Sequence, residues 1–354
     1  MTTLKQVALR AGCSMATASR VLNLSGPVSQ AAALRVRRAA ADVGYRAAAP
    51  SARNGRRPVI GVLVPSVTNP VFASSLSGIQ NRMLVAGHSV LIAQSNYDPD
   101  QEANAVAGLL GERPTGLILT VCNGETSPAL AQDLPPTVLL GSSPTARYPA
   151  AVTVNNYAAG CRLTEHLLSM GHRRILYVSG SFRASDRALL RYRGYLQTME
   201  AAGVPPFEAV EVPFVNGYDQ MDLGQALRTF SPTAIIGSND LIALGVIGAI
   251  NREGLRMPDD ISVAGFDGIA IGKLINPTLT SIEMPDLSMG ATAASLLLDI
   301  VENDAPLRHL ELSHTLRLGG TVRNLLNEET ATPIGRGGSD RNRGPLEPAY
   351  HSRN

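Results

Sequence analysis

The chain has no tryptophan, only three cysteines, and no lysine besides Lys5 and Lys273. Cys13, Cys122 and Cys161 are odd in number and widely spaced. They offer neither a disulfide framework nor a Cys-x-x-Cys metal pair, and a reducing compartment is expected. No apolar run approaches the roughly 18 residues of a membrane-spanning helix. The opening "MTTLKQVALR" lacks the charged start and continuous apolar segment of a secretory signal, so a cytoplasmic protein is expected. Catalytic signatures are missing too: there is no Gly-x-Ser-x-Gly, no His-Glu-x-x-His and no Gly-x-Gly-x-x-Gly after a strand. "DGIAIGKL" is a phosphate loop only in outline, with Asp267 where its first glycine belongs and Leu274 where Ser or Thr belongs. The six histidines form no ligand-spaced cluster, and His166 and His172 fall at a helix end and a turn. The expectation is a protein without enzyme activity, metal or cofactor.

What is present is strongly polarised. The 354 residues suffice for two or three domains, and 44% are apolar, enough for a sizeable core. The net charge of +2 hides an asymmetry. Residues 1–58 carry ten basic groups against the single acid Asp42, whereas the rest carries 21 basic and 28 acidic groups. One end is suited to a polyanion and the remainder is not.

Within the basic end, Leu4, Val7, Ala8 and Ala11 repeat at helical spacing. Gly12 is placed to end that helix and Ser14 to cap the next. The second helix, "MATASRVL", has Ala18, Val21 and Leu22 on its apolar side and Met15, Ala16, Ser19 and Arg20 on another. A third helix is expected between a Ser29 cap and Gly44, packed by Leu34, Val36 and Val43. Two short helices about a glycine turn, braced by a third, predict a helix-turn-helix, whose second helix fits the DNA major groove. An αα-hairpin packing on its own protein is the alternative, and Arg20 on the free face of a basic head favours DNA.

The run "LKQVALRAGCSMATASRVLN", followed by "GPVSQ" and "ADVGYR", resembles the DNA-binding domain of the lactose-repressor (LacI) family of bacterial transcription regulators, from Leu4 to Arg46. The resemblance implies that Met15, Ala16 and Arg20 read base edges, while Ser14, Thr17, Ser19 and Asn23 support backbone contacts. Arginine bonds guanine O6 and N7 bidentately, whereas Met and Ala offer only apolar fit. Base readout is therefore expected to lean on Arg20. The segment 46–58, "RAAAPSARNGRRP", corresponds to the family's hinge helix, in which a leucine wedges into the minor groove. Here the chain is two residues short, Ala52 takes the place of that leucine, and Pro50 moves Ala49 out of the α region. Arg53, Arg56 and Arg57 retain reach to phosphates. Weaker DNA bending than the family norm is expected.

From Val59 the pattern changes to short β-branched runs alternating with helices: "VIGVLV", "SVLIAQ", "GLILT" and "TVLLG", then, from a second start near Asn156, "RILYVSG", Val210–Val212, "AIIG" and "SVAGF". This predicts two similar lobes, each a doubly wound parallel sheet. Ligands of such sheets lie beyond the carboxyl ends of the strands. Phe72, Asn239, Asp240 and Asp267 fall at such ends, and Arg191 opens a helix facing the same side. Carboxylate, amide and arginine around an aromatic ring suit a polyhydroxylated ligand. Asn239 and Asp240 are equally placed to cap the following helix, and Arg191 could be an ordinary surface side chain.

"NPVF", "RYRGY", "SNDLIALG" and "PDDISVAGFDG" are similar to the effector domain of the same family, itself periplasmic-binding-protein-like. The resemblance makes Arg191, Asn239 and Asp267 the foremost effector contacts, with Phe72 and Asp240 next. Where the family often carries an acid after the fourth strand this chain reads Gly141-Ser142, and Asn155 stands where Asp is frequent. Both changes remove negative charge, so the ligand is expected to differ from a simple neutral sugar.

The expected organisation is an all-α three-helix head (1–45), a hinge (46–58), an α/β two-lobed effector and dimerisation domain (59–326) and a disordered tail (327–354). The expected function is a homodimeric transcription regulator, a repressor, that binds a near-palindromic duplex under control of a carbohydrate-like effector. The alternative is a cytoplasmic sugar-binding or sugar-processing protein with an appended head.

Overall fold

The computed structural model of the chain describes residues 3–23, 28–42, 57–214 and 217–326. The head has three helices, α1 (Leu4–Ala11), α2 (Met15–Asn23) and α3 (Gln30–Asp42). Thr3 and Gln6 form a reciprocal capping box at the start of α1. Gly12 ends α1 in the left-handed region (φ 61°, ψ 45°), its N–H returning to the last turn. Ser14 Oγ then accepts from the Thr17 N–H at 3.1 Å, and Ser29 Oγ from the Ala32 N–H at 3.4 Å. These caps satisfy donors that short helices leave unpaired.

Val7, Ala8, Ala11, Ala18, Val21, Val36, Ala39 and Ala40 form one small core. The three valines dominate it, at about 1.5–3 kcal/mol each. Leu34, expected in this core, is 70% exposed. Two residues along a helix turn the side chain by about 200°, so Leu34 cannot share a face with Val36; Ala39 and Ala40, at i+3 and i+4 from Val36, fill that role. Val43, Gly44, the hinge positions Ala52 and Arg53, and the tail 327–354 lie outside the described residues.

The rest of the chain continues through β1 (Val59–Val64), α4 (Pro70–Ala86), β2 (Ser89–Gln94), α5 (Pro99–Gly111), β3 (Gly116–Leu119), β4 (Thr137–Leu140) and β5 (Ala151–Val154). It then runs through α6 (Asn156–Ser169), β6 (Ile175–Gly180), α7 (Asp186–Ala201), β7 (Val210–Val212), α8 (Gly224–Phe230), β8 (Ala234–Gly237) and α9 (Asp240–Arg252). The last elements are β9 (Ser262–Asp267), α10 (Ile271–Leu274), β10 (Thr280–Glu283), α11 (Asp286–Asn303), β11 (His309–Leu312) and β12 (Thr315–Arg317). The strands form two six-stranded sheets, β11-β5-β4-β3-β1-β2 and β12-β10-β9-β8-β6-β7. All pairings are parallel except β12 on β10. The apolar runs are buried along their whole length in β3, β4, β5, β6, β8 and β9, as strands covered by helices on both faces require.

The two lobes are not simply consecutive, as the strand runs alone suggested. After β10 the chain returns to the first lobe, where α11 packs on α4 and β4 and β11 extends the first sheet beside β5. It then crosses back to place β12 in the second sheet. Three short connections therefore join the lobes, between Val154 and Asn156, Glu283 and Asp286, and Leu312 and Thr315. In each sheet the strand order reverses at one point, between β1 and β3 in the first and between β6 and β8 in the second. A crevice opens at such a switch point beyond the strand ends, and here the two crevices face each other.

Candidate functional site

In the head, one face of α2 is left uncovered. Ala16 and Arg20 are exposed and Met15 is 53% exposed, while Ala18 and Val21 face inward. Thr17 is half-buried, its hydroxyl 2.9 Å from that of Ser14, so both are committed to the start of the helix. Ser19 is half-buried and has an interaction partner. Asn23 closes α2, and its side chain, like Ala52 and Arg53, lies outside the described residues. The face is thus one cation beside two small or flexible apolar groups, able to donate to a base edge and to lie against a thymine methyl.

Between the lobes is a cleft, partly open to solvent, with a cavity of about 70 Å³ at its centre. Phe72, Arg191, Asn239 and Asp267 all line it. Asn69 caps α4, its side-chain oxygen accepting from the Val71 N–H at 3.1 Å, which sets the first turn that carries Phe72. Phe72 meets Tyr97 edge to face at 6.1 Å between ring centres, and Tyr97 stacks on Phe214 of the other lobe at 4.5 Å. An aromatic wall therefore spans the cleft.

Arg191 occupies the polar centre. It reaches this point because α6 and α7 cross at Gly160 and Gly194: a Cβ on Gly160 would lie 2.1 Å from the Arg191 carbonyl oxygen, and one on Gly194 would lie 2.3 Å from the Tyr157 carbonyl oxygen. Its Nε donates to Asn156 Oδ1 at 2.8 Å. Its Nη1 donates to the Ser238 carbonyl at 2.7 Å and to Asp267 Oδ1 at 3.0 Å. The guanidinium also lies over the Phe266 ring, 4.9 Å from its centre. Asp267, at the end of β9, holds φ +98°, a region that few non-glycine residues adopt. Strain of this kind persists where surrounding contacts impose it and clusters at ligand sites. Burial pushes the Asp267 carboxyl above its ordinary pKa, and Arg191 opposes that shift.

Asn239 lines the cleft and also caps α9, its Oδ1 accepting from the Ile242 N–H at 2.7 Å. Asp240 does not line the cleft. It is fully buried behind the wall, accepting from the Ile269 N–H at 2.9 Å and the Ser281 hydroxyl at 2.6 Å. The side chain after an N-cap points back across the sheet here, tying β9 and β10 to α9. Burial, reinforced by the nearby Asp267 charge, raises its pKa to about 7.

The cleft also contains residues that the strand-end reading passed over. Arg187 lies one turn before Arg191 on α7, an i,i+4 pair that the sequence displays openly. Asp286 follows β10, a strand end of the same kind as the others, and burial next to Asp267 lifts its pKa well above the ordinary value. Tyr97 and Phe214 follow β2 and β7, strand ends of the same kind, whose aromatic residues the reading did not take up. Asp186 and Arg187 bridge the lobes. The Asp186 N–H donates to the Cys122 carbonyl at 2.7 Å. Arg187 Nη1 donates to the Val121 carbonyl at 3.0 Å and to Ser142 Oγ at 3.1 Å. Among the described residues no group of His, Cys, Asp and Glu is arranged to hold a metal ion, and no helix is long and apolar enough to cross a membrane.

A helix-turn-helix ahead of two α/β lobes with a polar cleft at their facing switch points defines a DNA-binding transcription regulator with a ligand-binding domain. Residues 3–47 match bacterial regulatory proteins of the lacI family, and residues 164–322 match a periplasmic binding protein-like domain. The chain is 31% identical over 326 residues to the HTH-type transcriptional regulator GntR of Escherichia coli, covering 90% of this chain and 98% of that protein. It is 30% identical over 310 residues to the ribose operon repressor of the same organism, covering 84% and 92%. Its fold matches the lac repressor dimer bound to operator and the anti-inducer ONPF with a TM-score of 0.67 and 26% identity, covering 91% of this chain and 99% of that one. The chain belongs to the LacI family.

Proposed function

We propose that the protein is a homodimeric transcriptional repressor of the cytoplasm, whose affinity for a near-palindromic operator is set by a polyhydroxylated effector held between its lobes. Residues 1–45 are the reading head, 46–58 the hinge, 59–326 the effector and dimerisation domain, and 327–354 a tail. In this reading Met15, Ala16 and Arg20 meet base edges, with Arg20 supplying the hydrogen-bond discrimination. Ser14, Thr17, Ser19 and Asn23 support the backbone side, and Ala52 and Arg53 belong to the hinge's DNA contacts, with Arg53 reaching phosphates. Arg191, Asn239 and Asp267 hold effector hydroxyls, with Phe72 against the apolar face of the ligand. Asp240 acts from behind, by fixing the strand end that carries Asp267.

The observation that carries the reading is the convergence of Arg191, Asn239, Asp267 and Phe72 from both lobes on one cleft, in a chain that begins with a basic helix-turn-helix. The chemistry is binding, not turnover. A ligand that prefers one arrangement of the lobes changes operator affinity by its difference in affinity for the two arrangements. Two of the relatives above are named as repressors, the ribose operon repressor and the lac repressor, and the latter was solved as a dimer on its operator.

Selection of the full-length protein against random duplex DNA tests the reading. A palindromic consensus is expected, and Arg20→Ala is expected to remove it at constant salt. Retention of the same consensus by Arg20→Ala would remove the assigned reader. Salt-dependent binding without a consensus would reduce the head to an electrostatic grip.

A further inference from the structure

The effector of this cleft can be specified further, on the premise that the cleft is the effector site. Arg187 lines the cleft and its side chain is 11% exposed. All three of its hydrogen bonds leave from Nη1, to Val121 O, Ser142 Oγ and Asp186 Oδ1 at 3.1 Å. Its Nη2 is buried without an acceptor. A guanidinium carries five N–H donors and does not give up its charge. A buried donor of that kind left unpaired is costly and calls for a partner.

The surroundings restrict what that partner is. The buried acid of the first lobe nearest this point, Glu102, is already committed to the Cys122 N–H and the Ser127 hydroxyl; beside Arg187 stand Gly141 and Ser142, and a Cβ on Gly141 would find only Arg187 Cδ, at 3.3 Å. Ser142 is fully buried, and its hydroxyl already donates to the Val121 carbonyl at 3.1 Å. Asp186 neutralises part of the guanidinium from its far side but is not among the cleft-lining residues. The Nη2 edge of this cleft-lining cation is thus left without an acceptor. Asp267, Asp286 and Asn239 give the other end hydroxyl-binding character.

We propose that the effector is an anionic carbohydrate, a hydroxylated skeleton bearing a carboxylate or phosphate, whose anionic group is taken by Arg187 at the Gly141–Ser142 end of the cleft. Arg187 comes from α7 of the second lobe and already bonds Val121 and Ser142 of the first. An anion bound there ties the two lobes together, so recognition of its charge and lobe closure are one event. Bidentate arginine–oxyanion pairing has the geometry for this.

The test is calorimetric titration of the full-length protein with uronates, aldonates and aldose 6-phosphates, each beside its neutral parent aldose. At least one acid is expected to bind tenfold or more tightly than its parent, and whether carboxylates or phosphates do so identifies the anion. Arg187→Gln is expected to erase that preference and Arg187→Lys to keep part of it. Because Arg187 also crosses between the lobes, Arg187→Lys carries the assignment if Arg187→Gln does not fold, while the wild-type comparison tests the charge preference itself. Neutral aldoses binding as tightly as every acid would overturn the inference while leaving the effector reading intact. So would a charge preference unchanged in Arg187→Gln. Silence from the entire panel, with operator binding preserved, would overturn the inference and the carbohydrate effector together.

Discussion

Replacing Arg191 with methionine keeps most of the side-chain length and removes the cation from the centre of the cleft. Three hydrogen bonds are lost, to Asn156, Ser238 and Asp267, all between 2.7 and 3.0 Å. The larger effect falls on Asp267, whose side chain is 8% exposed and whose paired cation is Arg191. Removing one partner of a buried ion pair costs about 3–5 kcal/mol, mainly because the other charge is left uncompensated. The double variant Arg191→Met/Asp267→Asn removes the stranded charge and should recover about 1–3 kcal/mol as coupling between neighbours. The sign of the pH dependence is fixed. Without Arg191 the folded-state pKa of Asp267 rises further above its unfolded value. The folded variant then holds a proton that the unfolded chain releases, so its stability falls as pH rises above about 4. The Arg191→Met deficit should be largest at pH 8 and shrink toward pH 5. Urea unfolding of wild type and the single and double variants at both pH values reads all of this. A deficit below about 1 kcal/mol, or one independent of pH and of residue 267, would refute the reasoning that a buried pair organises the cleft.

Ser14→Ala removes the cap of α2 and should lower stability of the head by about 1 kcal/mol, seen as a lower thermal midpoint with the fold of the lobes unchanged. Asp240, with a folded-state pKa of about 7 against an ordinary 3.8, holds its proton in the folded chain between those values. Stability should therefore fall from pH 4 to 7 and level off above, and Asp240→Asn, which can bond both Ile269 and Ser281, should flatten that slope in pH-dependent unfolding; an unaltered slope would assign it to other groups. With Ala52 in place of a wedging leucine, circular-permutation gels on the selected operator should show only a shallow bend, and a sharp central kink would contradict this.

The head was legible in the sequence almost residue by residue, because short-range rules govern it. Gly12 and Ser14 end and begin helices by their own backbone and side-chain chemistry, and the period of Val7, Ala8 and Ala11 sets one face. Leu34 shows the limit: hydrophobicity nominated it, but angular position relative to Val36 excluded it from the core. In the larger domain, β-branched runs announced strands; strand ends nominated Phe72, Asn239 and Asp267, and a helix on the same side nominated Arg191, all of which line the cleft. The same rule also nominated Asp240, which turns behind the wall to Ile269 and Ser281.

By itself the sequence determined the helix-turn-helix, the two parallel sheets and the chemical types at the strand ends, since each depends on periodicity and capping within a few residues. Only tertiary structure decided which of those ends meet. The return of α11 and β11 to the first lobe, the crossing of α6 and α7 at paired glycines, and the reach of Arg187 to Val121 and Ser142 join residues far apart in the chain. Their proximity is set by packing between elements, and no local pattern encodes it.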